Sequence, residues 1–289
     1  MGPLTFDGKV AIVTGAGGGL GRCHALELAR RGAAVVVNDL GTSVDGSAAA
    51  SASAEAVVAE ITAAGGAAVA NGDSVASPAG GAAIVQTALG TFGRIDIVIN
   101  NAGILRDAAF KNMTPALVDP VIDVHLKGAF NVTKAAWPHL TEQGYGRIIN
   151  TSSGSGIFGN FGQANYGAAK MGIVGLTQVL AIEGARKGIT VNAIAPIART
   201  RMTEELMGDL GASLDPELIS PLVTYLAHES CTRSGHIYSV GGGTIKRVFI
   251  GVTPGREDRE LTAESVAASI DAIDDPAGYA IRGALLGQS

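Results

Sequence analysis

The chain reads as an α/β protein: a doubly wound parallel sheet of seven strands, helices on both faces, and a C-terminal extension. Short β-branched runs, apolar on both faces, alternate with longer Ala- and Leu-rich segments of helical spacing, the mark of βαβ units. With 47% hydrophobic and 16% charged residues among 289, the chain can bury enough apolar surface to offset its entropy, which excludes global disorder. Its 41 glycines follow no G-x-y period, which excludes a collagen.

In order, the strands are expected at residues 10–14, 34–38, 67–71, 95–100, 147–151, 190–195 and 236–240, and the helices at 20–31, 53–64, 80–92, 120–141, 164–186 and 216–228. Right-handed crossovers would place those helices on both faces of the sheet. Residues 41–53, rich in Ser, Gly and Ala, read as a polar surface loop. The domain is expected to span 1–243. In the extension, 244–289, Ile245, Val248, Ile250 and Val252 form a partly alternating run, Pro254-Gly255 marks a turn, and a capped helix starts at Thr262.

Charge and cysteine usage narrow the function. There are 26 acidic against 21 basic residues, net −5, and no basic run to follow a phosphate backbone, so nucleic acid is not an expected partner. No membrane span or export signal is legible, and Cys23 and Cys231 cannot build a disulfide framework, so a cytoplasmic location is expected. The five histidines show no zinc-helix spacing, and no metal site is expected.

The first strand runs into Gly15-Ala16-Gly17-Gly18-Gly19-Leu20-Gly21 and then a helix. Glycines there let the backbone approach a pyrophosphate while helix-end N–H groups bind it, which makes the sheet Rossmann-type. Asp39 ends the second strand 20 residues after Gly19, where a carboxylate accepts hydrogen bonds from an adenosine ribose. It would repel a 2′-phosphate, and no Arg or Lys lies within Gly15 to Gly21 to neutralise one, so NAD is expected over NADP. Otherwise Asp39 is an exposed loop acid.

Tyr166 and Lys170 stand four apart in an expected helix and share a face. The ammonium, with a positively charged nicotinamide, would lower the phenol's pKa and let Tyr166 take a hydroxyl proton. Ser153, after the fifth strand, could hold the alcohol oxygen.

Together these motifs resemble the short-chain dehydrogenase/reductase family: Thr14-Gly15-x-x-x-Gly19-x-Gly21, Asn100-Asn101-Ala102-Gly103, and Ser153 thirteen residues before Tyr166 with Lys170 beyond. The resemblance selects Ser153 over Ser152 and Ser155. It implies cofactor contacts from Gly15, Gly19, Leu20, Gly21, Asp39, Asp73, Ser74, Asn101, Tyr166, Lys170 and Thr200. Asp73 could instead cap a turn, and Asn101 tie neighbouring backbones together. One departure is His125, where most members carry Asn; it either supports a water chain beside Lys170 or is a packed polar residue. Another is Pro196-Ile197, where many have Pro-Gly.

Further stretches, among them 37–41, 101–107, 155–166 and 228–231, resemble the (3R)-hydroxyacyl-CoA dehydrogenases of that family, a group found in peroxisomal multifunctional enzymes and as free-standing bacterial proteins. This implies oxidation of a 3-hydroxyacyl-CoA, fatty or steroid-derived, with NAD in β-oxidation. The rival readings are a hydroxysteroid dehydrogenase or 3-ketoacyl reductase of the same fold and, more distantly, a non-catalytic NAD sensor. A homodimer or homotetramer is expected, because Met171, Ile173, Val174, Leu176, Val179, Leu180 and Ile182 exceed one buried stripe. Lys246, Arg247 and Arg256 are candidate partners for CoA phosphates.

Overall fold

The central strand, β1 (Val10–Thr14), is buried along its whole length. It pairs in parallel with β2 (Ala34–Asn38) on one side and β4 (Ile97–Asn100) on the other. With β3 (Ala67–Asn71), β5 (Gly146–Thr151), β6 (Ile189–Pro196), β7 (Ile237–Gly241) and β8 (Thr244–Val248), the computed structural model forms one sheet in the order β3-β2-β1-β4-β5-β6-β7-β8. It describes residues 2–41, 52–198 and 214–281. The chain winds outward from β1 to β3, then returns to β4 on the far side. Connections leaving β1 and β4 therefore diverge and open a crevice at the carboxyl ends of the strands.

Strand residues alternate between two covered faces, which is why these runs are apolar throughout. Ala11, Val13, Val35 and Ile99 pack with Leu28 of α1 (Gly19–Arg30), Ile61 of α2 (Ala52–Ala63) and Leu222 of the C-terminal helix of this sheet. Ile12, Val36, Val98 and Ile148 face the other way, against Ile84 of α3 (Pro78–Phe92) and Leu140 of the helix before β5.

The expected helix 120–141 is divided. α4 (Pro115–Ile122) passes through a single π turn, Asp123–Lys127, into α5 (Gly128–Glu142). His125, in that turn, is held by the backbone of Ile104, and a Cβ at Gly128 would lie 2.8 Å from Val75 Cγ2. Those tertiary anchors account for the local unwinding. Beyond the short α6 (Gly154–Phe158) lie the long α7 (Ala164–Gly184) and α8 (Ser220–Ala227); the expected 216–228 helix begins as a 3-10 turn, Pro216–Ile219.

The expected count of seven parallel strands also needs correction. Gly242 and Gly243, at φ +53° and +74°, form a two-residue turn that brings β8 back beside β7 as an eighth, antiparallel strand.

At the amino ends of the strands the charges are paired. Asp96, fully buried, accepts from Val10 N at 2.9 Å and from Arg94 at 2.8 and 2.7 Å, with Lys9 at 3.9 Å. Arg147, 7% exposed, donates to the carbonyls of Gly146, Gly188, His228 and Glu229. Lys9 and Arg147 both lie against the Tyr145 ring, at 4.0 and 4.3 Å.

Residues divide into two units, Met1–Arg247 and Val248–Ser289. The second is built from β9 (Gly251–Val252) paired antiparallel with β10 (Ala280–Ile281), and from α9 (Ala263–Ala267) and α10 (Ile270–Asp274). Thr262 caps α9 reciprocally with Ser265, and Phe249 stacks on Tyr279. The single expected helix is thus two short ones. Among the described residues, no helix is long and apolar enough to cross a membrane.

Candidate active site

Gly15 and Gly19 adopt φ of +63° and +51°, conformations that favour glycine. A Cβ at Gly15 would lie 2.7 Å from Ala102 Cα, and one at Gly21 would overlap the Gly15 carbonyl. The loop is therefore folded tightly on Asn101-Ala102. Asn101 Nδ2 donates to the carbonyls of Thr14 (3.0 Å) and Gly15 (3.1 Å), and Thr14 Oγ1 accepts from the N–H groups of Asn101 and Ala102. Gly18 leaves α1 without a side-chain cap, and the first turn holds no acid. The N–H groups of Gly19, Leu20 and Gly21 have no intrahelical acceptor at that end, a donor set that fits an anionic pyrophosphate.

Asp39 braces the same loop: Oδ2 accepts from Gly17 N at 2.8 Å and Oδ1 from Gly41 N at 2.7 Å. Asp73 is held in its turn, Oδ2 accepting from Asn71 Nδ2 at 2.8 Å and its carbonyl from Asn38 Nδ2 at 2.9 Å. Ser74 Oγ accepts from Ala76 N. The turn and backbone bracing offered as the alternative to cofactor contact for Asp73 and Asn101 is present in the structure. Thr200 lies outside the described residues.

Ser153, Tyr166 and Lys170 come together where β5 runs out against α7. Ser153 lies close enough to the Tyr166 phenol to lower its pKa, and its hydroxyl accepts from Ser155 N at 3.2 Å. Its neighbour Ser152 is buried, its hydroxyl donating to the Lys170 carbonyl at 2.8 Å, so only one of the two adjoining serines faces the phenol. Lys170 Nζ lies 5.5 Å from the Tyr166 ring centroid and donates to Thr151 O at 2.7 Å.

Burial dominates the electrostatics. It pushes the Lys170 ammonium down to about 7, because a 3% exposed cation with one acceptor is poorly solvated. Burial pushes the Tyr166 phenol up, Ser153 pulls it the other way, and Asp107 adds a smaller upward push. Burial therefore opposes the lowering expected from a neighbouring ammonium and a positively charged nicotinamide.

His125 meets Tyr166 edge to face, with ring centroids 5.1 Å apart. Its Nε2 lies 2.8 Å from Ile104 O and 3.1 Å from Ile104 N, so the backbone holds either tautomer. Burial, and then the Lys170 charge, hold the imidazole well below its usual range, and it is neutral at working pH. Its Nδ1, Asn100 Oδ1 and Thr151 Oγ1 are buried without a protein partner. All three residues line one small cavity with Lys170, polar enough to take a water molecule. Thr151 was not singled out from sequence, its only signal being adjacency to Ser153, and Asn100 entered only as the first residue of the Asn-Asn-Ala-Gly motif, without a role of its own.

A model of the short chain dehydrogenase family matches residues 9–210. The chain belongs to that family. It is 51% identical over 278 residues to the peroxisomal multifunctional enzyme type 2 of Mus musculus, covering 94% of this chain and 37% of that protein. It is also 51% identical over 277 residues to a putative short-chain type dehydrogenase/reductase of Mycobacterium tuberculosis, covering 95% and 97%. The solved full-length peroxisomal multifunctional enzyme type 2 of Drosophila melanogaster superposes with a TM-score of 0.82 at 40% identity, over 97% of this chain and 48% of that one. This chain thus spans well under half of the mouse enzyme. Members of the family are oxidoreductases with a Rossmann-type sheet that generally bind a nicotinamide cofactor, and the glycine loop and uncapped α1 fit one.

Proposed function

We propose that this short-chain dehydrogenase oxidises the hydroxyl of a (3R)-3-hydroxyacyl-CoA, fatty or steroid-derived, with NAD. The observation that carries the reading is the meeting of Ser153, Tyr166 and Lys170 beside the glycine loop in a chain half identical to peroxisomal multifunctional enzymes. The loop of Gly15 to Gly21 would hold the cofactor's pyrophosphate and Asp39 its adenosine ribose, and the bound nicotinamide would supply a hydride acceptor. Ser153 holds the alcohol oxygen, Tyr166 Oη takes its proton, and Lys170 supports the phenolate across the ring at a cost in its own solvation. His125 is a positioning residue: neutral and fixed by Ile104, it presents Nδ1 toward the cavity behind Lys170.

Asp39 supports NAD, since both its oxygens already accept backbone N–H bonds and a 2′-phosphate would meet an anion there. Oligomerisation is supported by α7: Ile173, Val174 and Leu176 are buried, whereas Met171, Val179 and Ile182 remain 41–66% exposed as a second apolar stripe. Of the extension's cations, Arg256 is engaged by Ser269 and Asp258, which leaves Lys246 and Arg247 on β8 as the better candidates for CoA phosphates.

The deciding experiment presents enzyme and NAD with 3-hydroxyacyl-CoA thioesters, straight-chain and steroid-derived, beside free steroid alcohols, and records nicotinamide reduction. Turnover of thioesters alone supports the reading; turnover of free steroid alcohols alone overturns it in favour of a hydroxysteroid dehydrogenase.

A further inference from the structure

Phenylalanine is normally hidden, and four of the seven in this chain are no more than half exposed: Phe6 at 1%, Phe92 partly buried, Phe249 at 38% and Phe130 at 50%. The other three are Phe110 at 81%, Phe158 at 76% and Phe161 at 89%. They are not scattered. Phe158 closes α6 five residues after Ser153, and Phe161 stands five residues before Tyr166, so the segment between the two catalytic side chains carries both rings.

Phe110 belongs to the loop after β4, which is tied to that segment. Ala108 N donates to Gly162 O at 2.9 Å, Gln163 Nε2 to Asp107 Oδ2 at 2.7 Å, and Asn165 Nδ2 to Arg106 O at 2.9 Å. Gly159 and Gly162, at φ +81° and +80°, fix the turns on which Phe158 and Phe161 project. Three rings are thus held outward on a braced rim around the reacting group. Single exposed apolar side chains need no explanation, but three adjoining a catalytic centre do.

Two occupants could cover them, a second copy of the chain or the apolar part of a substrate. The apolar stripe for a second copy lies elsewhere, on α5 and α7, at Phe130, Met171, Val179 and Ile182. A thioester placed with its hydroxyl on Tyr166, by contrast, must extend its remaining carbons past the loops that flank Tyr166. We propose that Phe110, Phe158 and Phe161 form the wall that receives the acyl tail and so set a preference for long or bulky acyl groups; this rests on the acyl-CoA reading above.

The test measures kcat and KM for 3-hydroxybutyryl-, 3-hydroxyoctanoyl- and 3-hydroxypalmitoyl-CoA in the parent enzyme and in Phe110→Ala, Phe158→Ala, Phe161→Ala and the triple variant, with molecular mass by light scattering. Each truncation is expected to lower kcat/KM for the palmitoyl substrate by roughly tenfold, through KM, while the butyryl value stays within about twofold, and Phe161→Leu should recover most of the loss. Equal losses on all three substrates, or no loss on any, overturn the assignment. A fall in mass with unchanged chain-length preference assigns the rings to a subunit contact instead. If the parent oxidises none of the thioesters, the acyl-CoA reading fails on its own. Calorimetric titration with palmitoyl-CoA against free CoA then decides the wall: weaker palmitoyl-CoA binding by the triple variant supports it, and equal binding overturns it.

Discussion

Two buried cations sit at opposite ends of the same sheet. Arg147, 7% exposed, gives its guanidinium to four backbone carbonyls and an aromatic face. Lys170, 3% exposed, has one carbonyl, and burial has pushed it down to about 7. Burial is similar, but satisfaction is not. A charge with four of its five donors used holds strands in place, whereas a charge left partly unsolvated has free energy available for another group that needs it. Asn100, His125 and Thr151 leave buried orphan atoms around Lys170, and at the Arg147 end Tyr145 Oη and Thr190 Oγ1 are likewise unpartnered.

This contrast can be broken from either side. The largest effect is expected from Tyr166→Phe, which removes the proton acceptor but keeps the ring: kcat should fall about a thousandfold while NAD binding changes only a few-fold. Substantial residual turnover would identify another base. At the opposite end, Asp96→Ala strands Val10 N and two cations, and should cost about 3 kcal/mol in denaturant unfolding with kcat nearly intact. If kcat collapsed while the protein stayed folded and stable, the two ends would not be separable.

The remaining forecasts sharpen it. Comparing kcat/KM for the two cofactors should favour NAD by about thirtyfold, roughly 2 kcal/mol for an unpaired phosphate beside Asp39. Equal values would remove Asp39 from that role. His125→Ala should lower kcat about tenfold. Above about pH 6 its pH profile should keep its shape, because an imidazole already held neutral has no proton to lose there. A pH limb that disappears with the side chain would make His125 an acid–base group, and unchanged kcat with lower stability would make it packing alone.

What was legible in the sequence is what depends on local spacing. The strand-glycine-helix run, the Tyr166-Lys170 interval and the two-faced strands each place residues by periodicity. The π turn at Asp123–Lys127 was not legible, because apolar spacing continues across it while its cause, the Ile104 backbone, is 21 residues away. The eighth strand had a signal in the partly alternating run from Ile245, but its place in the main sheet was not legible, because Gly242-Gly243 read equally well as a hairpin turn and as the end of a domain. The Asp96 and Arg147 clusters have no motif at all, since Val10 and Asp96 are 86 residues apart and meet only across the folded sheet. Spacing also carries no information about burial, which opposes the lowering expected at Tyr166.

Asp39 serves two masters. Its Oδ2 holds Gly17 N and its Oδ1 holds Gly41 N, so the carboxylate proposed to read the ribose also fixes the shape of the phosphate loop. Replacing it by an aliphatic or basic residue would release two backbone donors at the same stroke, and asparagine would keep an acceptor for only one of them. A change of coenzyme through this position would therefore also disturb the phosphate loop.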